Sequence, residues 1–384
     1  MSVMSVTRSK LPTTGVSIFT VMSRLADEHG AINLSQGFPD FDCDPALIDT
    51  VERHLRTGRN QYAPMPGLLS LREAISDKVH TNYGRRYDPV GEVLVTAGAT
   101  EALFSALAAL IHPGDEVIVF QPAYDSYVPV IQLCGGIPRF VTLQGPDYRI
   151  DWDDVRAAIS PQTRVIVLNS PHNPTGAVLS TSDVAELTRV LEHTNAVVVS
   201  DEVYEHIIFD GATHESLARH SAIAERAVVV SSFGKTYHTT GWKVGYLVAP
   251  RALTDEVQRV HQFVTFAVNT PVQHAYAEFL RRDLTCRDVA PFYERKRDRF
   301  RSLVAGSRFK ILPCRGTYFQ LLDYSAVSDE DDQTFALELL RNHGVASIPL
   351  SPFIDGGGAK GVLRFCFAKR DETLERAAER LRAV

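Results

Sequence analysis

The sequence predicts an α/β fold: a mainly parallel sheet flanked by helices, with a smaller α+β unit after it. Three observations carry this. Short β-branched runs alternate with amphipathic helical stretches from about Glu92 onward. Several of those runs are apolar without alternation, as parallel strands covered on both faces require. The residues able to do chemistry gather where the runs end, which is where open α/β sheets place their ligands.

The elements follow in order. Strands are expected at Val93–Thr96, Val117–Phe120, Arg164–Asn169, Ala196–Asp201, Ala227–Ser232 and Val244–Ala249, with helices such as Glu101–Ile111 and Ser182–His193 between them. This alternation is the signature of an α/β domain. The last third differs. Asp288–Leu303 reads as a charged helix, and its run Glu294–Asp298 as a solvated face. Strands at Arg308–Pro313 and Thr317–Asp323, a helix near Asp332–His343 and a strand at Leu363–Ala368 complete an α+β unit. Of the polar breaks Tyr87–Gly91 and Arg281–Asp288, only the second reads as a domain boundary.

Composition narrows the class. The 384 residues are 45% hydrophobic and 22% charged, which excludes disordered, collagen-like and coiled-coil chains. The length favours two domains, or three, and allows folding without disulfides or metal. A net charge of −6 without a basic tract argues against nucleic acid as a partner. No run approaches the length of a membrane span. The cysteines are Cys43, Cys134, Cys286, Cys314 and Cys366; no two form a C-x-x-C pair, so free thiols in a reducing compartment are expected. Met1–Lys10 lacks the apolar stretch of a signal peptide. The expectation is a cytoplasmic enzyme of small molecules.

One motif is a decoy. Gly356–Gly361 matches G-x-G-x-x-G, but it precedes a strand instead of linking a strand to a helix, so it reads as a flexible loop. There is no P-loop, no H-E-x-x-H, no Cys/His cluster and no G-x-S-x-G, so neither metal nor a serine nucleophile is expected.

Four strand ends carry the chemistry. After Glu92–Val95, Thr96-Ala97-Gly98-Ala99-Thr100-Glu101 turns into a helix with Thr100 near its cap. It is either a phosphate cradle or a plain N-cap turn. Asn169-Ser170-Pro171-His172-Asn173-Pro174-Thr175-Gly176 holds Asn173 in a proline-fixed loop at the sheet's edge, or is merely a structural turn. Asp201 closes an apolar strand, with Tyr204 three residues on. A carboxylate there either pairs with a buried cation, such as a protonated ring nitrogen, or caps the next helix. Ser231-Ser232-Phe233-Gly234-Lys235-Thr236 ends the next strand, and Lys243 follows. Lys235 is either a sheltered neutral amine able to form a Schiff base or, like Lys243, a surface lysine. The conjunction, in this order, describes a pocket for a phosphorylated aromatic ring with a cationic nitrogen and an aldehyde: pyridoxal 5'-phosphate (PLP).

On these residues the chain resembles the class I/II aminotransferases, PLP enzymes of fold type I. The shared motifs are S-F-G-K-T followed by G-W-K-V-G-Y, N-P-T-G, S-D-E-V-Y and the late Arg364. The resemblance covers nearly the whole chain. The segments 32–41, 60–67, S-P-H-N-P-T-G and F-G-K-T-Y-H-T-T-G-W-K look closest to bacterial methionine aminotransferases and their kynurenine and glutamine aminotransferase neighbours. It implies a seven-stranded sheet, a large PLP-binding domain over 46–280, and a small domain made of 1–45 and 281–384.

The resemblance also implies roles. Lys235 would carry PLP and then move the proton between the substrate and the cofactor. Asp201 would pair with the ring nitrogen; Tyr204 and Asn173 would tune the ring oxygen. Tyr124 would stack on the ring, though a core tyrosine fits that position too. Ala99, Thr100, Ser232 and Lys243 would bind the phosphate, joined by Tyr62 of a neighbouring subunit in a homodimer with shared sites. Arg364 would clamp the substrate carboxylate, a geometry guanidinium suits, as a buried, paired arginine helped by Asn173 and the backbone of Gly37. Phe19 would line an apolar side-chain pocket. Phe263–Pro271, where dicarboxylate enzymes supply a second arginine, has none. Methionine, glutamine, aromatic amino acids and kynurenine are the expected donors, and a 2-oxo acid the acceptor. The alternatives are a C–S β-lyase on the same fold and a non-catalytic regulator with that fold.

Overall fold

A computed structural model describes residues 8–12, 14–359 and 361–384. Residues 1–7, on which most of the signal-peptide reading rests, and Lys360 of the glycine-rich loop lie outside the described residues. In chain order the strands are β1 (Ile32–Asn33), β2 (Val93–Thr96), β3 (Glu116–Gln121), β4 (Ile137–Thr142), β5 (Thr163–Asn169), β6 (Val197–Asp201), β7 (Ala227–Ser232), β8 (Gly245–Val248), β9 (Lys310–Ile311), β10 (Phe319–Asp323), β11 (Val345–Ala346), β12 (Ile348–Pro349) and β13 (Val362–Cys366).

Seven strands form the main sheet in the order β2-β8-β7-β6-β5-β3-β4. Only β8 runs against its neighbours. The expected runs are found to within two residues. The exception is β4, which the apolar-run criterion misses. It is an edge strand with Pro138 and Arg139 and an alternating, half-exposed pattern, and an edge tolerates both proline and charge. The helix Gly98–Leu110 begins two residues before Thr100, which lies in its first turn.

Two apolar layers cover the sheet. One includes Ile118, Ile166, Val198 and Tyr276; the other includes Leu103, Val119, Val167 and Val199. Alternate residues of the same strands face opposite layers, which is why these strands read as continuously apolar.

A four-stranded antiparallel sheet, β12-β13-β10-β9, lies in the last third. The strand expected at Arg308–Pro313 shortens to Lys310–Ile311. The core of this part recruits Met22 and Ala26 of the N-terminal helix Ile18–His29, and β1 pairs parallel with β11. The N-terminal segment is thereby held against the C-terminal part, and Ser35–Gly37 are carried to the mouth of the main sheet. No described helix is long and apolar enough to cross a membrane, no cluster of metal-ligating side chains occurs among the described residues, and all five cysteines are free.

Candidate active site

The ends of β5, β6 and β7 lie side by side. Asn169 of β5 stands opposite Asp201 of β6, and Asp201 opposite Val230 of β7. Their C-terminal ends open into a cavity of about 240 Å³. It is lined by Lys235, Asp201, Tyr204, Ala99, Thr100, Tyr124, Asn173, Ser232, Lys243, Arg364, Gly37 and Phe19. Every residue singled out from the sequence is therefore brought together except Tyr62. That ring is 83% exposed and packs edge-on against Phe266 at 5.4 Å.

Asp201 is buried at the floor. Its carboxylate accepts from the Tyr127 hydroxyl at 2.6 Å and from the Val203 amide at 3.3 Å, so it caps no helix. Burial pushes its pKa up to about 6, with Tyr127 pulling the other way. A carboxylate in that position gains from a cation placed against it. Asn169 donates to the Asp201 carbonyl at 2.8 Å and accepts from the Asn173 amide at 2.8 Å, which ties the proline-fixed loop to the strand end.

Lys235 follows β7 in the short helix Phe233–Thr236. Its Nζ donates to the Tyr318 hydroxyl oxygen at 2.7 Å and to the Gly37 carbonyl at 3.1 Å. Burial lowers its pKa to about 8. Ser232 caps that helix by accepting from the Gly234 amide at 3.2 Å, so its hydroxyl proton is left for another acceptor. A Cβ added at Gly98 would stand 3.4 Å from Lys243 Nζ, and Gly98 itself has φ +77°. The ammonium of Lys243 thus sits over the start of the helix Gly98–Leu110, where free amides and the helix dipole favour an anion.

Arg364 is fully buried in β13. Its guanidinium donates to Asn173 Oδ1 at 2.7 Å and to the Ser35 carbonyl at 2.8 Å; its Nε has no partner. The ring of Phe319 lies 3.8 Å below it and that of Phe19 at 5.0 Å. The expected buried arginine is present, but its partners are uncharged oxygens, not a carboxylate. Burial lowers its pKa to about 10, still far above neutrality.

The sequence reading missed Tyr318, Tyr127, Gln36 and Phe319. Gln36 lines the cavity and donates to the Phe19 carbonyl at 3.0 Å. Tyr127 lies three residues after Tyr124, so one helical turn could have suggested it. Tyr318 carries no signal of its own, because only the packing of β10 brings it beside Lys235.

Comparison with known proteins gives the family. The family model of aminotransferase class I and II matches residues 29–381. The chain is 51% identical to the methionine aminotransferase of Escherichia coli, over 98% of each chain. It is 33% identical to human kynurenine–oxoglutarate transaminase 1, over 94% of this chain and 93% of that one. Among solved structures, that of YbdL from Escherichia coli, for which a methionine aminotransferase function was identified, superposes with a TM-score of 0.96 at 50% identity, covering 99% of this chain and all of that one. N-succinyldiaminopimelate aminotransferase from Mycobacterium tuberculosis gives 0.94 at 39% identity, covering 98% and 99%.

Proposed function

The chain belongs to the class I and II aminotransferases and is an aminotransferase; from that premise we propose that it moves the α-amino group of methionine to a 2-oxo acid with PLP as cofactor. Glutamine, aromatic amino acids and kynurenine are the further donors. The observation that carries this reading is one cavity holding a low-pKa lysine, a buried carboxylate short of a cation, an anion cradle and a buried arginine short of a carboxylate.

The residues present fit PLP. Ala99, Thr100, Ser232 and Lys243 would hold its phosphate, Asp201 its ring nitrogen, Tyr204 and Asn173 its ring oxygen, Tyr124 its face and Lys235 its aldehyde carbon. When bound, PLP supplies an electron-withdrawing ring that takes up the charge left at Cα when the proton departs. The protein's own groups do the rest. Arg364 binds the substrate carboxylate, which completes the partner set its buried charge lacks. Lys235 Nζ would accept the Cα proton and hold it for redelivery, a task that suits an amine whose pKa lies near working pH. Asp201 would favour a proton on the ring nitrogen by placing a negative charge against it. Phe19 and Phe319 make the side-chain region apolar, in keeping with methionine and aromatic donors. Such a pocket separates similar apolar side chains by only about 1–3 kcal/mol, so several neutral amino acids should react.

The proposal includes a homodimer in which Tyr62 of one chain reaches the phosphate site of the other, a division into 46–280 and 1–45 with 281–384, and a cytoplasmic location.

The test is an absorbance spectrum of the purified protein before and after L-methionine, without a 2-oxo acid. A visible band that gives way to the near-ultraviolet band of the aminated cofactor supports the cofactor and methionine as the donor. A visible band unmoved by methionine overturns the donor. No band after incubation with PLP overturns the cofactor. Pyruvate, ammonia and a thiol released from a cysteine conjugate at a faster rate would favour the β-lyase.

A further inference from the structure

Tyr318 stands against the amine of Lys235, and its side chain is fully buried. Its hydroxyl gives its proton to the Gly37 carbonyl, so its oxygen faces Lys235 Nζ as an acceptor, at 2.7 Å. The Gly37 carbonyl accepts from the same Nζ at 3.1 Å. The two oxygens therefore stand side by side on one flank of the amine.

The phenol cannot easily turn away. Its ring is packed by Phe319 at 4.9 Å, Tyr204 at 5.1 Å and Tyr293 at 5.6 Å. Gly37 is fitted to the contact: an added Cβ would lie 2.8 Å from Phe319 Cζ. A side chain here would push the Phe319 ring out of its place beside Tyr318. Ser35, two residues earlier, accepts from Arg364. One short stretch thus touches both the amine and the guanidinium.

We propose that Tyr318 is a positioning residue: its hydroxyl oxygen, locked by the bond to Gly37, holds one flank of the Lys235 amine so that the lone pair points into the cavity. An amine nitrogen has four tetrahedral positions. Cε takes one, and the two N–H bonds, directed at the Tyr318 and Gly37 oxygens, take two more. The fourth faces the cavity and carries the lone pair or, after transfer, the proton in transit. Both acceptors are uncharged, so they orient the amine without fixing it as ammonium in the way a carboxylate would. The proposal rests on the reading of Lys235 as the amine that carries the cofactor.

The experiment compares apoproteins of the wild type, Tyr318→Phe, Tyr318→His and Lys235→Ala. Each is mixed with PLP from pH 6 to 10, and the growth of the visible band is timed. In that condensation Nζ joins the aldehyde carbon and the aldehyde oxygen leaves as one water. Tyr318→Phe removes a single oxygen and keeps the ring contacts. In the high-pH plateau, where the amine is neutral in both proteins, it is expected to form the band about five- to tenfold more slowly, the worth of one hydrogen bond. The midpoint of its pH profile is expected to move down, because the ammonium form has lost an acceptor. With methionine, the maximal half-reaction rate should fall by a similar factor while the half-saturating concentration changes less than about twofold. Tyr318→His, which returns a polar atom to that flank, should recover part of the rate. Equal plateau rates and equal midpoints in wild type and Tyr318→Phe would overturn the positioning role and leave Lys235's role intact. A band formed by Lys235→Ala would overturn the underlying reading instead.

Discussion

Arg364 donates to Asn173 across 2.7 Å in a fully buried setting, guanidinium to amide oxygen, with no carboxylate in the pair. Burying a charge against neutral partners is costly, and Nε is left without any acceptor. On the proposed function, a carboxylate brought by the substrate supplies the charged partner that the guanidinium lacks. Arg364→Lys keeps the charge and loses the planar fork. It should lower kcat/KM for L-methionine by about 100-fold or more, while the visible spectrum with PLP stays as in wild type. Unchanged kinetics would remove the clamp from the mechanism.

Asp201 sets function against stability. Its pKa is raised from 3.8 to about 6 in the folded protein, so the folded state binds the proton more tightly than the unfolded chain does. The stability this gives is present at low pH and is lost as pH rises from about 4 through 6. Above pH 6 the bare carboxylate costs roughly 3 kcal/mol, at 1.36 kcal/mol per pKa unit. Asp201→Asn should therefore raise the thermal midpoint of the apoprotein by a few degrees at pH 7.5. It should leave the midpoint unchanged below pH 4 and cut transamination at least a hundredfold. A lower midpoint at pH 7.5 would show that the charge is already compensated.

His172 makes the fold acid-sensitive. It is buried in the proline-fixed loop, its Nδ1 2.7 Å from the Thr175 hydroxyl, and burial lowers its pKa from 6.5 to about 4. Here the unfolded chain takes the proton more readily. Stability is fully present above pH 6.5 and is lost as pH falls from there to about 4, by about 3 kcal/mol for this group. Urea midpoints measured against pH should fall across that window. They should fall less steeply in His172→Gln, even if that variant is the weaker one at pH 7.5. Parallel curves would assign the acid sensitivity to other groups, such as the buried His206.

Shared sites give a mixing test. If Tyr62 serves the neighbouring subunit, Tyr62→Ala and Lys235→Ala proteins each lose activity. Co-refolded together, they should regain it, because one of the two sites in a mixed dimer then has both wild-type residues. No recovery, with dimers present by sedimentation, would place Tyr62 outside the site.

Legibility followed the physics of each element. β5, β6 and β7 were readable because burial on both faces leaves an unbroken apolar run that ends abruptly in Asn169, Asp201 and Ser232. β4 was not, because an edge strand accepts Pro138 and alternating exposure. Arg364 was readable as buried from its apolar neighbours Leu363 and Phe365, but not its partners, which come from Ser35 and Asn173, far away in the chain.

The sequence by itself determined the order of the strand ends and which residue types close them, because local patterning decides where a buried strand stops. It also grouped the residue types from which the cofactor chemistry is proposed. The tertiary structure alone decided that Tyr127 supports Asp201, that Arg364 has only neutral partners, and that Tyr318 and Gly37 flank Lys235. Each of these contacts joins residues tens to hundreds of positions apart. The first is set by how the helix Tyr127–Leu133 lies beside β6, the others by where β10, β13 and the β1–β11 pair place their neighbours, and no local signal in the sequence encodes that packing.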